Sequence, residues 1–264
     1  MKALILAAGF ATRLYPLTEK TAKPLLPVAG KPMIEYITDS LRGLSGLDTV
    51  YVVTNRKFHD DFCAWRKGYR HDAAIEIIND GSTSDQNKLG AIGDIDFAVR
   101  EKGITDDLLV IAGDNLFDLQ IPEFVRFAEG RGATIAAYDI GSVADARRFG
   151  VVSVDRNNFV EGFEEKPYNP RSSLVAMCLY YFPKGKLPLI GKYLSGGNSP
   201  DAPGNYIAWL SRAEKVACYV FTGSWFDIGS FESLDTANRY WEGRKEKGWN
   251  IGRKTEQEST RRSE

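Results

Sequence analysis

The sequence is poor in the residues on which many enzyme chemistries depend. Only two histidines, His59 and His71, occur in 264 residues. A histidine-based triad or a histidine-rich zinc site is therefore not expected. The three cysteines, Cys63, Cys178 and Cys218, are odd in number and widely spaced. They supply neither a disulfide framework nor metal-ligand spacing, and they fit a reducing compartment. No apolar run approaches the ~18 residues that a membrane span needs. The first residues lead straight into a strand, without the charged and apolar regions of a signal peptide, so a cytoplasmic location is expected. The net charge is −1 and no basic stripe is present, which speaks against nucleic acid or a membrane surface as partner. There is no internal repeat, and in particular no hexapeptide pattern. If the chain is an enzyme, its chemistry must rest on carboxylates, lysine, arginine and a bound cation.

A hydrophobic content of 43% supports a full core, and the length suits one large α/β domain. In the first half, strand-like runs at 2–8, 48–54, 74–79 and 107–112 alternate with helical patterns near 32–44, 57–69 and 88–101. The runs at 48–54 and 107–112 lack polar alternation, as expected of strands covered on both faces. This order predicts a doubly wound, mostly parallel sheet whose ligands bind beyond the carboxyl ends of the strands. The second half is less regular. A hairpin is expected around Asp155-Arg156-Asn157-Asn158, with a long strand at 174–182 and a helix near 184–194. A loop from Gly196 to Gly204, strands near 216–221 and 225–228, and a helix at about 230–245 complete it. The expected organisation is a single domain over 1–250. The tail at 251–264 is polar, lacks apolar anchors after Lys254, and is expected to be disordered.

The most informative segment is the first one. The apolar run Leu4-Ile5-Leu6-Ala7-Ala8 stops at Gly9, and a small-residue loop leads through Phe10 and Ala11 to Thr12-Arg13. Lys23 follows, among prolines at 16, 24, 27 and 32. A buried strand that empties into such a loop lets backbone N–H groups approach a polyphosphate, with Arg13 and Lys23 to neutralise it. The loop has neither the three glycines of a dinucleotide fingerprint nor the Gly-Lys-Ser/Thr of a P-loop. Two acids also end strands beside a glycine or an amide. Asp114 lies in Gly113-Asp114-Asn115, and Asp227 in Trp225-Phe226-Asp227-Ile228-Gly229. Asp114 suits a hard cation held together with substrate phosphates; it also suits an Asx-turn or a helix cap, and Asp227 a cap for the helix that begins near Ser230.

The string from Leu4 to Met33 closely resembles the signature of the nucleotidylyltransferases that activate sugar 1-phosphates. It keeps Leu6-Ala7-Ala8-Gly9, Thr12-Arg13-Leu14, Pro16-Leu17-Thr18, Lys23 and Leu25-Leu26-Pro27-Val28. Gly30-Lys31-Pro32-Met33 also matches. It departs at Ala11 and Ala22, where glycine and proline are usual. The resemblance implies an α/β fold with a doubly wound, mixed, mostly parallel Rossmann-like sheet and a smaller β-rich substrate lobe. A nucleotide-binding half would cover about 1–140 and an acceptor-binding half 141–250.

The implied reaction is transfer of a nucleoside monophosphate from dTTP, UTP or CTP to a sugar 1-phosphate, with Mg²⁺ on Asp114 and Asp227. Arg13, Lys23, Asp114 and Lys166 would be catalytic. Nucleotide contacts would come from Leu6, Ala8, Gly9, Phe10, Ala11, Thr12, Arg13, Lys23, Gly90 and Asp114. The base would be read near Asp80 and from Ser84 to Ala91, where Asp85 and Gln86 compete for the place of the usual glutamine. The acceptor would meet Asn115, Gly150, Glu165, Lys166, Val175 and Tyr180. Met177-Cys178 replaces a smaller pair in the resembled pattern, so a smaller or differently shaped acceptor pocket is expected. Cys178 reads as a packed small hydrophobe rather than a nucleophile. A cytidylyltransferase for phosphocholine, an inositol phosphate or a phosphonate shares the signature and stays open. So does a binding protein that has lost the chemistry, although retention of every charge argues against it. Self-association through the second half is compatible with the sequence.

Overall fold

The computed structural model describes residues 1–246. The first half runs β1 (Lys2–Ala7), β2 (Pro27–Val28), β3 (Lys31–Pro32), α1 (Met33–Ser40), β4 (Thr49–Thr54), α2 (His59–Gly68), β5 (Ala74–Asn79), α3 (Ala91–Glu101) and β6 (Leu108–Ala112). It continues through β7 (Asn115–Phe117), α4 (Ile121–Ala128) and β8 (Thr134–Asp139). The second half holds α5 (Val143–Ala146), β9 (Gly150–Val154), β10 (Val160–Glu165), β11 (Leu174–Phe182), α6 (Pro188–Ser195), α7 (Pro203–Ala213), β12 (Ala217–Phe221), β13 (Trp225–Asp227) and α8 (Phe231–Glu246).

One nine-stranded sheet carries the fold, in the order β10-β9-β11-β6-β1-β4-β5, with β8 on β11 and β12 on β8. β1, β4, β5 and β6 are mutually parallel. β11 runs antiparallel to β6, β8 and β9, and β10 antiparallel to β9. The sheet is therefore mixed, with most strands pointing one way, as the sequence pattern predicts. The β-rich second half is not detached: the β11–β6 ladder makes it one sheet with the first half.

Alternate residues of β1 explain the two layers. Ala3, Ile5 and Ala7 face a core with α1, α2 and α4, represented by Ile34, Phe62 and Phe124. Leu4 faces the other core with α3, α6 and α7, represented by Ile95, Ile190 and Tyr206. All six residues of β4 are buried, which is why its sequence shows no polar alternation. The helix expected near 184–194 is a short 3-10 turn at Lys184–Lys186 followed by α6. The expected loop up to Gly204 ends earlier, because Pro203 opens α7. Pro suits the first helical turn, where its missing N–H costs no intrahelical bond. The tail expected to be disordered at 251–264 lies outside the described residues. Among the described residues no helix is long and apolar enough to cross a membrane.

Candidate active site

The strand ends at Ala7 and Ala112 open onto a cavity of about 430 Å³. Its first wall is the opening loop, with Leu6, Ala8, Gly9, Phe10, Ala11, Thr12, Arg13 and Lys23. Ala11 takes a left-handed backbone, φ 49°, at the place where glycine is usual in the resembled pattern. The loop is tied down by Asn55 Nδ2 donating to the Ala8 carbonyl at 2.9 Å. Thr18 Oγ1 donates to the Ala11 carbonyl at 2.7 Å. The opposite chemistry lies on the wall made by α3 and the loop before it, with Asp85, Lys88, Gly90 and Asp94. Gly90 has φ +80°, and a Cβ there would lie 2.7 Å from the Pro200 carbonyl. The segment at Pro200 to Pro203 thus presses on the start of α3.

A second cavity of about 780 Å³ adjoins the first. Arg13, Asp114, Cys178, Asp201 and Pro203 line both. Asn115, Gly150, Glu165, Lys166, Tyr180 and Asp227 line the second. Asp114 and Asp227 are brought together by the antiparallel β7–β13 pair, in which Asp227 stands opposite Asn115. Ile228 N donates to the Asp114 carbonyl at 3.0 Å.

Lys23 Nζ donates to Asp114 Oδ2 at 2.7 Å. Asn115 Nδ2 donates to Asp114 Oδ1 at 3.0 Å, and Asn115 Oδ1 accepts from Trp225 Nε1 at 2.5 Å. Burial pushes the Asp227 carboxyl well above its ordinary range, and the neighbouring Asp114 charge adds to that. The charges of Lys23, Arg13 and Lys166 act in the opposite sense. Two carboxylates among three cations make a site matched to phosphates. An oxygen-only pair also fits Mg²⁺, which takes one or two carboxylates and completes its shell with phosphate oxygens and water. Among the described residues no group of three or more His, Cys, Asp or Glu forms a fuller metal cage.

Glu165 sits in a slot made by two glycines. A Cβ on Gly204 would lie 1.9 Å from Glu165 Oε2, and one on Gly150 would lie 3.1 Å from the same atom. Burial pushes the Glu165 carboxyl up, against the pull of the adjacent Lys166 charge; the two side chains stand 3.7 Å apart.

Residues 2–243 match the nucleotidyl transferase family over nearly all of the described chain. The chain belongs to that family. It is 31% identical to glucose-1-phosphate adenylyltransferase from Mycoplasma mobile, over 90% of this chain and 66% of the relative. It is 29% identical to the bifunctional protein GlmU from Methanocaldococcus jannaschii, over 91% of this chain and 54% of the relative. The chain thus spans between about half and two thirds of these curated relatives. A UDP-glucose pyrophosphorylase solved with UDP-glucose superposes with a TM-score of 0.76 at 18% identity, covering 92% of this chain and 98% of that one. At that identity the likeness speaks for the nucleotidyl transferase fold.

Three expected contacts are not on either cavity wall. Val175 is fully buried in a small core with Ala146 and Val151; its neighbour Ala176 lines the second cavity. Asp80 is buried behind the first cavity, accepting from Ser82 N at 2.7 Å and from Ser82 Oγ at 2.6 Å. Gln86 is exposed and lines neither cavity. Of Met177-Cys178, Met177 packs wholly into the core and only Cys178 reaches the cavities. Cys178 holds φ 52° at an irregularity of β11. Burial pushes its thiol up to about 12, in keeping with an inert side chain. Sequence reasoning missed Lys88, Asp94, Asp201 and the aromatic wall of Tyr138 beside Phe149 and Trp225.

Proposed function

We propose that the protein transfers a nucleoside monophosphate from a nucleoside triphosphate to a sugar 1-phosphate, releasing pyrophosphate and an NDP-sugar. The observation that carries this reading is the shared wall. Arg13 and Asp114 line both cavities, so two phosphorylated substrates would meet there. The smaller cavity, with residues of about 1–140 on most of its wall, is assigned to the donor. The larger, built mostly from 141–246, is assigned to the acceptor. The relatives named adenylyltransferase and pyrophosphorylase support the same class of chemistry.

An oxygen of the acceptor phosphate attacks the α-phosphorus, and the bond from that phosphorus to the pyrophosphate oxygen breaks. A phosphate monoester is already anionic near neutral pH, so no general base is required. The barrier lies in gathering anions and in charge on the leaving group, and it is lowered by positioning and fixed charge. The N–H groups of Gly9 to Thr12 and the Arg13 guanidinium hold the β- and γ-phosphates. Lys23, oriented by Asp114, balances charge at the α-phosphorus. Lys166 fixes the attacking phosphate, and Glu165 accepts from an acceptor hydroxyl. Asp114 and Asp227 would hold Mg²⁺, which when bound neutralises and orients the reacting phosphates.

A second reading has its own support. Tyr138, Phe149 and Trp225 line the acceptor cavity with ring centroids 5.8 and 5.5 Å apart, together with Asp145, Glu165 and Glu232. An aromatic wall with carboxylates suits a cationic phospho-alcohol such as phosphocholine. One experiment covers both. Five nucleoside triphosphates are incubated with Mg²⁺ and a panel of sugar 1-phosphates and phospho-alcohols, and pyrophosphate is measured. Release that requires a sugar 1-phosphate supports the first reading, and release that requires phosphocholine the second. No acceptor-dependent release with any pair refutes both and leaves a binding protein.

A further inference from the structure

Asp114 is an acid that both cavities share, and both of its carboxylate oxygens are engaged by the chain itself. Oδ2 accepts from Lys23 Nζ at 2.7 Å. Oδ1 accepts from Asn115 Nδ2 at 3.0 Å. The oxygen of the same amide accepts from Trp225 Nε1 at 2.5 Å. Three hydrogen bonds in series therefore run from Trp225 on the acceptor wall, through Asn115 and Asp114, to Lys23 on the donor wall. Bonds in such a series polarise and strengthen one another where water is excluded.

The series can be built in one sense only. An indole N–H donates and cannot accept, and an ionised carboxylate accepts and cannot donate. An amide between them must turn its oxygen to Trp225 and its nitrogen to Asp114. Asp114 is thus offered a donor whose direction is set by an aromatic side chain on another strand. The β7–β13 ladder supplies the reach. Trp225 pairs with Phe117 and Asp227 with Asn115, so Trp225 is the diagonal neighbour of Asn115, within range of a long side chain. Asn115 also stands between the two carboxylates, next to Asp114 in the chain and opposite Asp227 across the ladder. An amide there adds no third negative charge. Asn115 is 3% exposed, which leaves little of it for the acceptor contact that the resemblance implies.

We propose that Asn115 is a positioning residue of the transfer reaction: held by Trp225, its amide fixes the carboxylate of Asp114, and with it the Lys23 ammonium, at the seam between the two cavities. The inference rests on the reaction proposed above and goes beyond it by giving Asn115 a role through Asp114 instead of a contact with the acceptor. Lys23 is a point charge on a flexible stem, and alone it restrains one oxygen of Asp114. With the second oxygen held as well, the plane of the carboxylate is fixed, and the lone pairs left over keep one orientation for Mg²⁺. Groups that orient a metal-binding carboxylate in this way govern metal affinity or rate by about 10- to 100-fold. The effect falls on kcat, because the orientation of Asp114 matters to the reacting phosphates and not to the base or to the rest of the acceptor.

Two near-isosteric changes test this. Asn115→Asp keeps an acceptor for Trp225 but turns an oxygen to Asp114 in place of the N–H. Trp225→Phe keeps a ring on the acceptor wall and leaves the net charge unchanged, but it frees the amide. Mn²⁺ binding is measured by electron paramagnetic resonance, with and without inorganic pyrophosphate. Pyrophosphate release is measured with the donor and acceptor pair that the substrate panel identifies. The indole N–H signals of the five tryptophans in an NMR spectrum report whether each variant is folded. Trp225→Phe is expected to weaken Mn²⁺ binding about tenfold although no charge has changed. kcat is expected to fall about 100-fold in Asn115→Asp and about tenfold in Trp225→Phe. Both KM values of Asn115→Asp should stay within about threefold of wild type. The double variant should have the kcat of Asn115→Asp, since Trp225 acts through the amide. Unchanged Mn²⁺ affinity in Trp225→Phe overturns the proposal, as does a wild type that binds no Mn²⁺ under either condition. A raised acceptor KM with kcat unchanged in Asn115→Asp also overturns it and makes Asn115 an acceptor contact. So does a double variant whose losses in kcat multiply. No release from the wild type with any pair overturns the reaction proposed above, and the Mn²⁺ comparison then decides the role of Asn115 by itself.

Discussion

Replacing Asp94 by asparagine should make the protein more stable, by an amount that grows with pH. Asp94 ordinarily ionises near 3.8, and in the folded protein burial, with Asp80 and Asp201 close by, raises this to about 8. Between these values the native state holds a proton that the unfolded chain has released. Stability is therefore greatest below the unfolded value, is lost as pH rises towards 8, and levels off above it. At about 1.36 kcal/mol per pH unit, the cost of keeping Asp94 protonated is on the order of 4 kcal/mol at pH 7. Asparagine does not titrate, so the stability gap between Asp94→Asn and wild type should widen by about 3 kcal/mol from pH 5 to 7.5. Urea titrations at these two pH values measure the gap, which corresponds to a midpoint shift on the order of 1 M. Groups remote from Asp94 titrate alike in both proteins and cancel, which leaves Asp94 with its neighbours Asp80 and Asp201. A gap of the same size at both pH values would show that Asp94 is ionised in the folded protein, and the description of its environment would be wrong.

Lys23→Ala removes the partner held 2.7 Å from Asp114. Turnover should fall at least 100-fold with the circular dichroism spectrum unchanged, and added Mg²⁺ should raise Tm more than in wild type because Asp114 and Asp227 have lost a compensating charge. Full activity in that variant would remove Lys23 from the mechanism. Gly204→Ala places a methyl 1.9 Å from Glu165 Oε2 and so must displace the carboxylate. Steady-state kinetics should show the acceptor KM raised about tenfold or more, with the donor KM little changed. Cys178→Gly relieves a left-handed backbone at about 1–2 kcal/mol and adds glycine's chain-entropy cost of about 0.5–1 kcal/mol. Calorimetry should find Tm within a few degrees of wild type, and a large drop would mean that the thiol packs more than its position at the cavities suggests.

The parts of this architecture visible in the sequence are those with strong local signals. β1, β4 and β6 are apolar throughout because helices cover both faces, and the opening loop is bounded by a strand and a Pro-rich segment. The parts that were not visible depend on the chain's long-range arrangement. The start of α7 reads as the end of a loop because Pro203 and Gly204 look like turn residues, and the residues after it were given no element; yet Pro203 starts the helix and Gly204 leaves room for Glu165, while Tyr206, Ile207 and Leu210 keep a helical apolar stripe. Val175 was expected at the acceptor from the resemblance alone. In β11 successive side chains alternate between faces, so Val175 turns into the small core with Ala146 and Val151 while its neighbour Ala176 lines the cavity. Asp94 is a polar residue in an otherwise amphipathic helix and would ordinarily be taken as solvated. Only its contact with Asp80, a residue from another element, marks it out.

The β7–β13 pair also governs when the protein becomes competent. Trp225 and Asn115 are bonded across a separation of 110 residues, and Asp114 and Asp227 flank that bond. Closing so long a loop is entropically expensive and precedes any reward from the contact. During synthesis, then, the opening loop, Lys23 and Asp114 emerge well before their second carboxylate. A ribosome must finish almost the whole described chain before the paired site can exist, so an incomplete chain would carry the opening loop without the second carboxylate on which the proposed chemistry depends.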